Sequence, residues 1–168
     1  MIEIIEVTIR KAIPEDAEEI SKIWTVICAE KIFSAVSHPF TREQEKDYII
    51  SLSDREGIFV AEKEGKIIGF QSLDKWARYS DSFDHVGVIG TFILPQWRKK
   101  KIGTKLAEYS FNFARNNNYE KIVIYVRATN TGAIDFYKKL GFIQKGILSR
   151  QVKINTQYED EIFMELFL

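Results

Sequence analysis

A single cysteine, Cys28, among 168 residues rules out an intrachain disulfide and fits a reducing compartment such as the cytoplasm. Charge of one sign is also missing in excess. Lys+Arg and Asp+Glu each total 24, so no global field draws the chain to a nucleic acid or an anionic membrane. No apolar run approaches the roughly 20 residues that span a bilayer, and the opening MIEIIEVTIRK lacks the basic-then-apolar pattern of a signal peptide. With two histidines and no His/Cys cluster at ligand spacing, no metal site is expected. Repeats, linkers and low-complexity segments are absent too. The expectation is one soluble, cytoplasmic domain over residues 1–168.

What is present is 45% hydrophobic and 29% charged residues, in patterns of clear period. EVTIRKA alternates as a strand. PEDAEEISKIWTVICAEK opens with Pro14 and acidic residues and repeats Ile20, Ile23, Trp24 and Ile27 at helical spacing. TREQEKDYIISL is a second helix with Thr41 as its cap. GIFVAEKEGKIIGFQSL reads as a hairpin and DHVGVIGTFIL as a long strand stopped by Pro95. A helix from KKIGTKL, the strand YEKIVIYVRA, the helix NTGAIDFYKKLGF and two closing strands complete the chain. This order predicts an α/β (α+β) fold: a single mixed, largely antiparallel sheet with helices on both faces.

The cations that the whole chain balances are concentrated locally. PQWRKKKIGTKL sets Arg98, Lys99, Lys100, Lys101 and Lys105 where a strand feeds a helix. A helix N-terminus offers unpaired N–H groups and the positive end of the macrodipole, so strand, cation loop and helix predict an anion site, best suited to phosphates. Zero net charge and the lack of a second basic stripe argue against nucleic acid as the partner. KIGTKL also lacks the glycine spacing of a P-loop.

VIGTFILPQWRKKKIGTKL followed by VRATNTGAIDFYKKLGF resembles the two signature motifs of the GNAT superfamily of N-acetyltransferases. The first appears as Arg98 to Gly103, the second as Asn130, Ala133, Tyr137 and Leu140-Gly141-Phe142. The resemblance implies a GNAT-like acyl-CoA N-acyltransferase fold that takes acetyl-CoA as donor. Backbone amides from Lys99 through Lys100, Lys101, Ile102 and Gly103 to Thr104 would hold the pyrophosphate. Phe92 and Ile93 would pair with the pantetheine arm, Asn130 would hydrogen-bond it, and Tyr137 would protonate the leaving thiolate. Lys101 stands where the family has glycine; right-handed helical backbone there would accommodate lysine cheaply and add an ammonium near the phosphates.

An amine acceptor needs a base or a water relay at neutral pH. His85 shares strand parity with Thr91 and Ile93 and is the candidate base, with Glu30 and Asp84 behind it. Where family members that acetylate ribosomal-protein N-termini carry a glutamate, this chain has Tyr125. Trp24, Glu30 and Trp76 are candidate acceptor contacts, and Trp24 also fits the core. The ending YEDEIFMEL is similar to that of members acting on amino acids or related metabolites, so the expected partner is a small-molecule amine. Protein lysine or N-terminal acetylation and a catalytically idle acetyl-CoA-binding module are the alternatives. Dimerisation is common in the family, although no interface is marked in this chain.

Overall fold

The computed structural model describes residues 6–168. Seven strands are β1 Thr8–Lys11, β2 Gly57–Lys63, β3 Lys66–Lys75, β4 Val86–Ile93, β5 Lys121–Arg127, β6 Ile143–Ile154 and β7 Gln157–Phe167. Four α-helices are α1 Ala17–Glu30, α2 Arg42–Ser51, α3 Ile102–Asn116 and α4 Thr131–Lys139. The sheet order is β1-β2-β3-β4-β5-β7-β6, and only the β4–β5 pair is parallel. The mixed, largely antiparallel sheet matches the sequence expectation.

Local chemistry explains the helix starts. Pro14–Asp16 forms a 3-10 turn whose Asp16 carboxylate accepts from the Ile13 N–H at 2.8 Å and pairs with Arg10 at 2.7 Å. α2 begins with reciprocal hydrogen bonds between Thr41 and Gln44, each side chain accepting the other's backbone N–H at 3.2 and 2.9 Å. α1 buries Ile20, Ile23, Trp24 and Ile27 against Ile58, Val60, Ile67 and Phe70 on one face of the sheet. On the other face, α3 buries Ile102, Leu106 and Phe111 with Tyr137 of α4 against Phe59, Leu73, Ile89 and Ile122. Each such side chain contributes on the order of 1.5–3 kcal/mol through burial, which fixes the helices to their faces.

β4 positions the site. It pairs with β5 only over Val86–Val88 against Lys121–Val123, leaving Ile89 to Ile93 without a neighbour on that side. The alternation of an antiparallel ladder decides which groups face this opening. The Trp76 N–H donates to the Val86 carbonyl, and the Leu94 N–H donates to the Ile68 carbonyl, both at 3.1 Å. Even-numbered residues of β4 therefore spend their backbone groups on β3. The odd-numbered residues turn theirs the other way: the His85 carbonyl accepts from the N–H groups of Glu120 and Lys121 at the paired end, and Thr91 and Ile93 face the opening.

Candidate active site

The cation loop lies at the open end of this slot. After the 3-10 turn Pro95–Trp97, residues 98–101 lead into α3. Among the described residues, no hydrogen bond uses the backbone N–H of Lys99 through Thr104 as donor; the first recorded for α3 runs from the Lys105 N–H to the Lys101 carbonyl at 3.1 Å. Lys99, Lys100 and Lys101 are exposed. The loop thus presents consecutive unpaired donors inside positive side-chain charge. Lys100 also lies over the Trp97 ring, 4.8 Å from its centroid, with Lys63 at 5.6 Å.

The expected right-handed geometry at Lys101 is not what the backbone adopts. Its φ is 61°, and Lys99 also lies in the left-handed region at 59°. Lysine therefore occupies a glycine-type conformation at a cost of roughly 1–2 kcal/mol. Gly103 is required for a different reason. A Cβ there would come within 3.0 Å of the Phe136 ring and 3.3 Å of Ile93, so a side chain would have to push the helix–strand packing apart by a few tenths of an ångström.

Arg98 is committed within the protein. Its guanidinium forms two hydrogen bonds to Glu30, at 2.8 and 2.6 Å, donates through Nε to the Ile93 carbonyl at 3.0 Å, and covers the Phe33 ring. Glu30 is consequently an internal ion-pair partner rather than a free acceptor contact. Asn130 is similarly engaged: its Oδ1 accepts the Ala133 N–H at 3.1 Å, and its Nδ2 donates to the Phe33 carbonyl at 3.4 Å. Arg127 donates to the carbonyls of Lys31 and Ser34 and pairs with Glu159. These three residues tie the segment after α1 to the walls of the slot.

Tyr137 projects from α4 to the unpaired part of β4. Its buried hydroxyl lies 2.9 Å from Thr91 Oγ1, which also accepts from Gln71 Nε2 at 2.8 Å. Burial pushes the phenol up to about 12, with the Thr91 hydrogen bonds opposing part of the rise. Gln71 is fully buried and its Oε1 has no partner. Thr91 and Gln71 were not identified from the sequence as site residues; the strand parity of Thr91 with Ile93 was the available signal.

A cavity of about 470 Å³ lies on the opposite face of β4, under α1 and α2. Gly90 and Phe92 form part of its floor, and Trp24 packs beside Phe92 with ring centroids 4.3 Å apart. Phe92 therefore shapes this cavity with its ring, while its backbone serves β3 rather than the slot. Ile93 is the residue of that pair whose backbone faces the opening. Glu45, Tyr48 and Asp74 also line the cavity, and the Tyr48 hydroxyl donates to Asp74 in a short hydrogen bond. Burial lifts Glu45 to about 7, opposed by the nearby Trp24 indole N–H and reinforced by Asp74; burial raises Asp74 as well. These acids, on a helix and a strand that carry no motif, were missed by sequence reasoning.

His85 is exposed and precedes β4 at the end where that strand still meets β5. At about 3.3 Å per residue, six residues place it roughly 20 Å from Thr91, so the structure does not bring His85 and Tyr137 together. Trp76 is half-exposed at the end of β3, where its indole N–H donates to the Tyr125 hydroxyl at 2.9 Å. It lies outside the cavity lining. No helix among the described residues is long and apolar enough to cross a membrane, and no described cluster of His, Cys, Asp and Glu is suited to a metal.

This arrangement, a split strand pair with free loop amides at its mouth and a tyrosine inside, is that of the acyl-CoA N-acyltransferase fold. The chain matches the acetyltransferase (GNAT) family model over residues 20–142 and belongs to that family. It is 32% identical over 96 residues to an uncharacterized N-acetyltransferase of Methanocaldococcus jannaschii, a match spanning 56% of this chain but only 42% of that relative. An N-alpha-acetyltransferase of Sulfurisphaera tokodaii is 29% identical over 150 residues, covering 85% of this chain and 84% of the relative. A phosphinothricin acetyltransferase from Sinorhizobium meliloti, solved in complex with acetyl-CoA, shares the fold with a TM-score of 0.88. That likeness covers 96% of this chain and 88% of the other at 18% identity.

Proposed function

We propose that the protein transfers an acetyl group from acetyl-CoA to the primary amine of a small molecule, with Tyr137 as the acid. The observation that carries this reading is the alignment of two features on one slot: unpaired N–H groups from Lys99 to Thr104 at its mouth, and the Tyr137 hydroxyl beside Thr91 within it. The fit to the donor is chemical. Consecutive amide donors and exposed lysines suit a diphosphate, and a strand edge with outward N–H and C=O groups suits an amide-bearing arm.

When bound, acetyl-CoA supplies the activated acetyl group. Lys99 to Thr104 hold its diphosphate through backbone, and Lys99 and Lys101 add charge. Thr91, through its slot-facing backbone groups, and Ile93, through its N–H, serve the arm and the carbonyl, the Ile93 carbonyl being taken by Arg98. The amine nitrogen forms the new C–N bond as the C–S bond breaks. One amine proton ends on sulfur by way of Tyr137, and the additional proton of an ammonium leaves to water. At about 12 the phenol is a weak acid beside a thiol near 8.5. It therefore hydrogen-bonds the sulfur first and releases its proton only as charge develops there.

Melting of the purified protein tests the donor site. Ligand at about 100 times its dissociation constant adds roughly 2.7 kcal/mol, or about 5–10 °C at this chain length. Acetyl-CoA is expected to give that shift and dephospho-CoA a smaller one. No shift with acetyl-CoA at millimolar concentration overturns the reading.

A further inference from the structure

The cavity under α1 and α2 has a lining that discriminates among amines. Its walls are largely apolar, with Trp24, Phe40, Phe70 and Phe92 providing aromatic surface. Glu45, Tyr48 and Asp74 are its only ionisable lining groups; lysine, arginine and histidine are absent among the described residues that line it. The nearest recorded cation, Arg78, lies 3.7 Å from Asp74 and is itself closer to Glu56, at 2.6 Å. Negative charge in this cavity thus has little compensation.

A separate observation points to a missing partner. The Trp24 indole Nε1 is buried without a hydrogen bond, on a residue only 6% exposed that lines the same cavity. Its natural acceptor is Glu45, near enough for the indole N–H to oppose the rise that burial and Asp74 impose on the carboxyl, which reaches about 7. A cation entering beside Glu45 would hold the carboxylate ionised and so make it a stronger acceptor for the indole N–H. The surrounding rings favour a cation whose remaining surface is apolar.

The cavity is also correctly placed for attack. Gly90 pairs with Ser72 and Val88 with Asp74 across the β3–β4 ladder, while the side chain of adjacent Thr91 holds Tyr137 on the far face. A Cβ at Gly90 would sit 3.0 Å from the Phe92 ring and 3.5 Å from Ser72 Oγ, so glycine keeps the floor open where the cavity borders the slot. Asp74 is one pleat farther, about 7 Å along the strand, a gap that a bridging water spans.

We propose that this cavity is the acceptor site and that it selects a primary amine with an apolar body and no other charge, excluding free amino acids. The proposal rests on the acetyltransferase reading above. Glu45 and Asp74 draw in the ammonium and take its first proton through water; the amine then attacks, and its second lost proton reaches sulfur by way of Tyr137. An α-carboxylate in the same space would meet two acids and no cation.

Thiol release by the full-length protein, with 2-phenylethylamine, phenylalanine and phenylalanine methyl ester as matched acceptors, decides the matter. The expected kcat/KM for 2-phenylethylamine exceeds that for phenylalanine by at least 100-fold, and the ester recovers to within about tenfold of the amine. Glu45→Gln and Asp74→Asn are each expected to raise KM for the amine about tenfold and leave KM for acetyl-CoA unchanged. Equal or better use of phenylalanine, of spermidine or of a peptide N-terminus overturns the selectivity. Should none of the acceptors turn over, calorimetric titration of 2-phenylethylamine into the coenzyme A complex replaces the assay. Binding there that phenylalanine does not show supports the proposal, and its absence overturns it. Failure of acetyl-CoA itself to bind would instead refute the acetyltransferase reading.

Discussion

The two faces of β4 build their halves of the site from different materials. On the α3/α4 side, Thr91 and Ile93 offer backbone groups to the slot, and the neighbouring cation loop offers more. On the α1/α2 side, Gly90 and Phe92 floor a cavity whose character comes from side chains on α1, α2 and β3. The first half has positive charge at its mouth; the second is largely apolar, with two acids in its wall. Recognition of a fixed, polyanionic donor can rest on main-chain donors that any residue supplies. Recognition of a particular acceptor depends on which side chains converge.

Removing the Tyr137 hydroxyl on the slot side should give the largest effect. Tyr137→Phe is expected to lower kcat by 10²-fold or more with little change in KM for acetyl-CoA, and Thr91→Val to lower it about tenfold through loss of the hydroxyl that positions Tyr137. Steady-state rates over pH 6–10 check both. Full activity in Tyr137→Phe would leave the slot a binding surface only.

Glu45→Gln tests the enclosed side through stability. The carboxyl titrates near 7 in the fold against an ordinary 4.5, so the native state holds a proton that the unfolded chain has lost between those values. Stability therefore falls as pH rises through that window, and the cost is complete above about 7. The amide removes the cost: melting should rise a few degrees at pH 8 and stay unchanged at pH 4. A drop at pH 8 would mean that ionised Glu45 is already compensated.

Lys101→Gly is the mildest change. Relief of the left-handed strain, less the entropy that glycine adds to the unfolded chain, should raise stability by about 0.5–1 kcal/mol. KM for acetyl-CoA should rise a few-fold, with a shallower dependence on salt. An unchanged KM and salt slope would show that the ammonium at this position points to water and contributes nothing to the donor site.

Legibility in the sequence follows the same divide. The order of elements along the chain, the helix starts and the loop were readable because each is encoded locally: Pro95, the Thr41 cap and the run from Val86 to Ile93 all act over a few residues. Tyr137 was readable because a motif surrounds it. The engagement of Glu30 by Arg98, 68 positions away, was not, because it depends on how α1 lies across the end of β4. Strand parity placed His85 on the slot side but could not show that it precedes the split by several residues. Phe92 was assigned to the donor together with Ile93 through the family resemblance, whereas the ladder turns its backbone to β3. Glu45 and Asp74 converge only after two helices and a hairpin have packed.

The alternating commitment of β4 has a consequence for isotope labelling. In deuterated buffer the amides of Gly90 and Phe92, locked to β3, should exchange slowly, while those of Thr91 and Ile93 exchange quickly. One strand would thus show a two-beat rhythm of protection. Loading the slot with a donor that adds its own row of carbonyls would even out that rhythm, residue by residue.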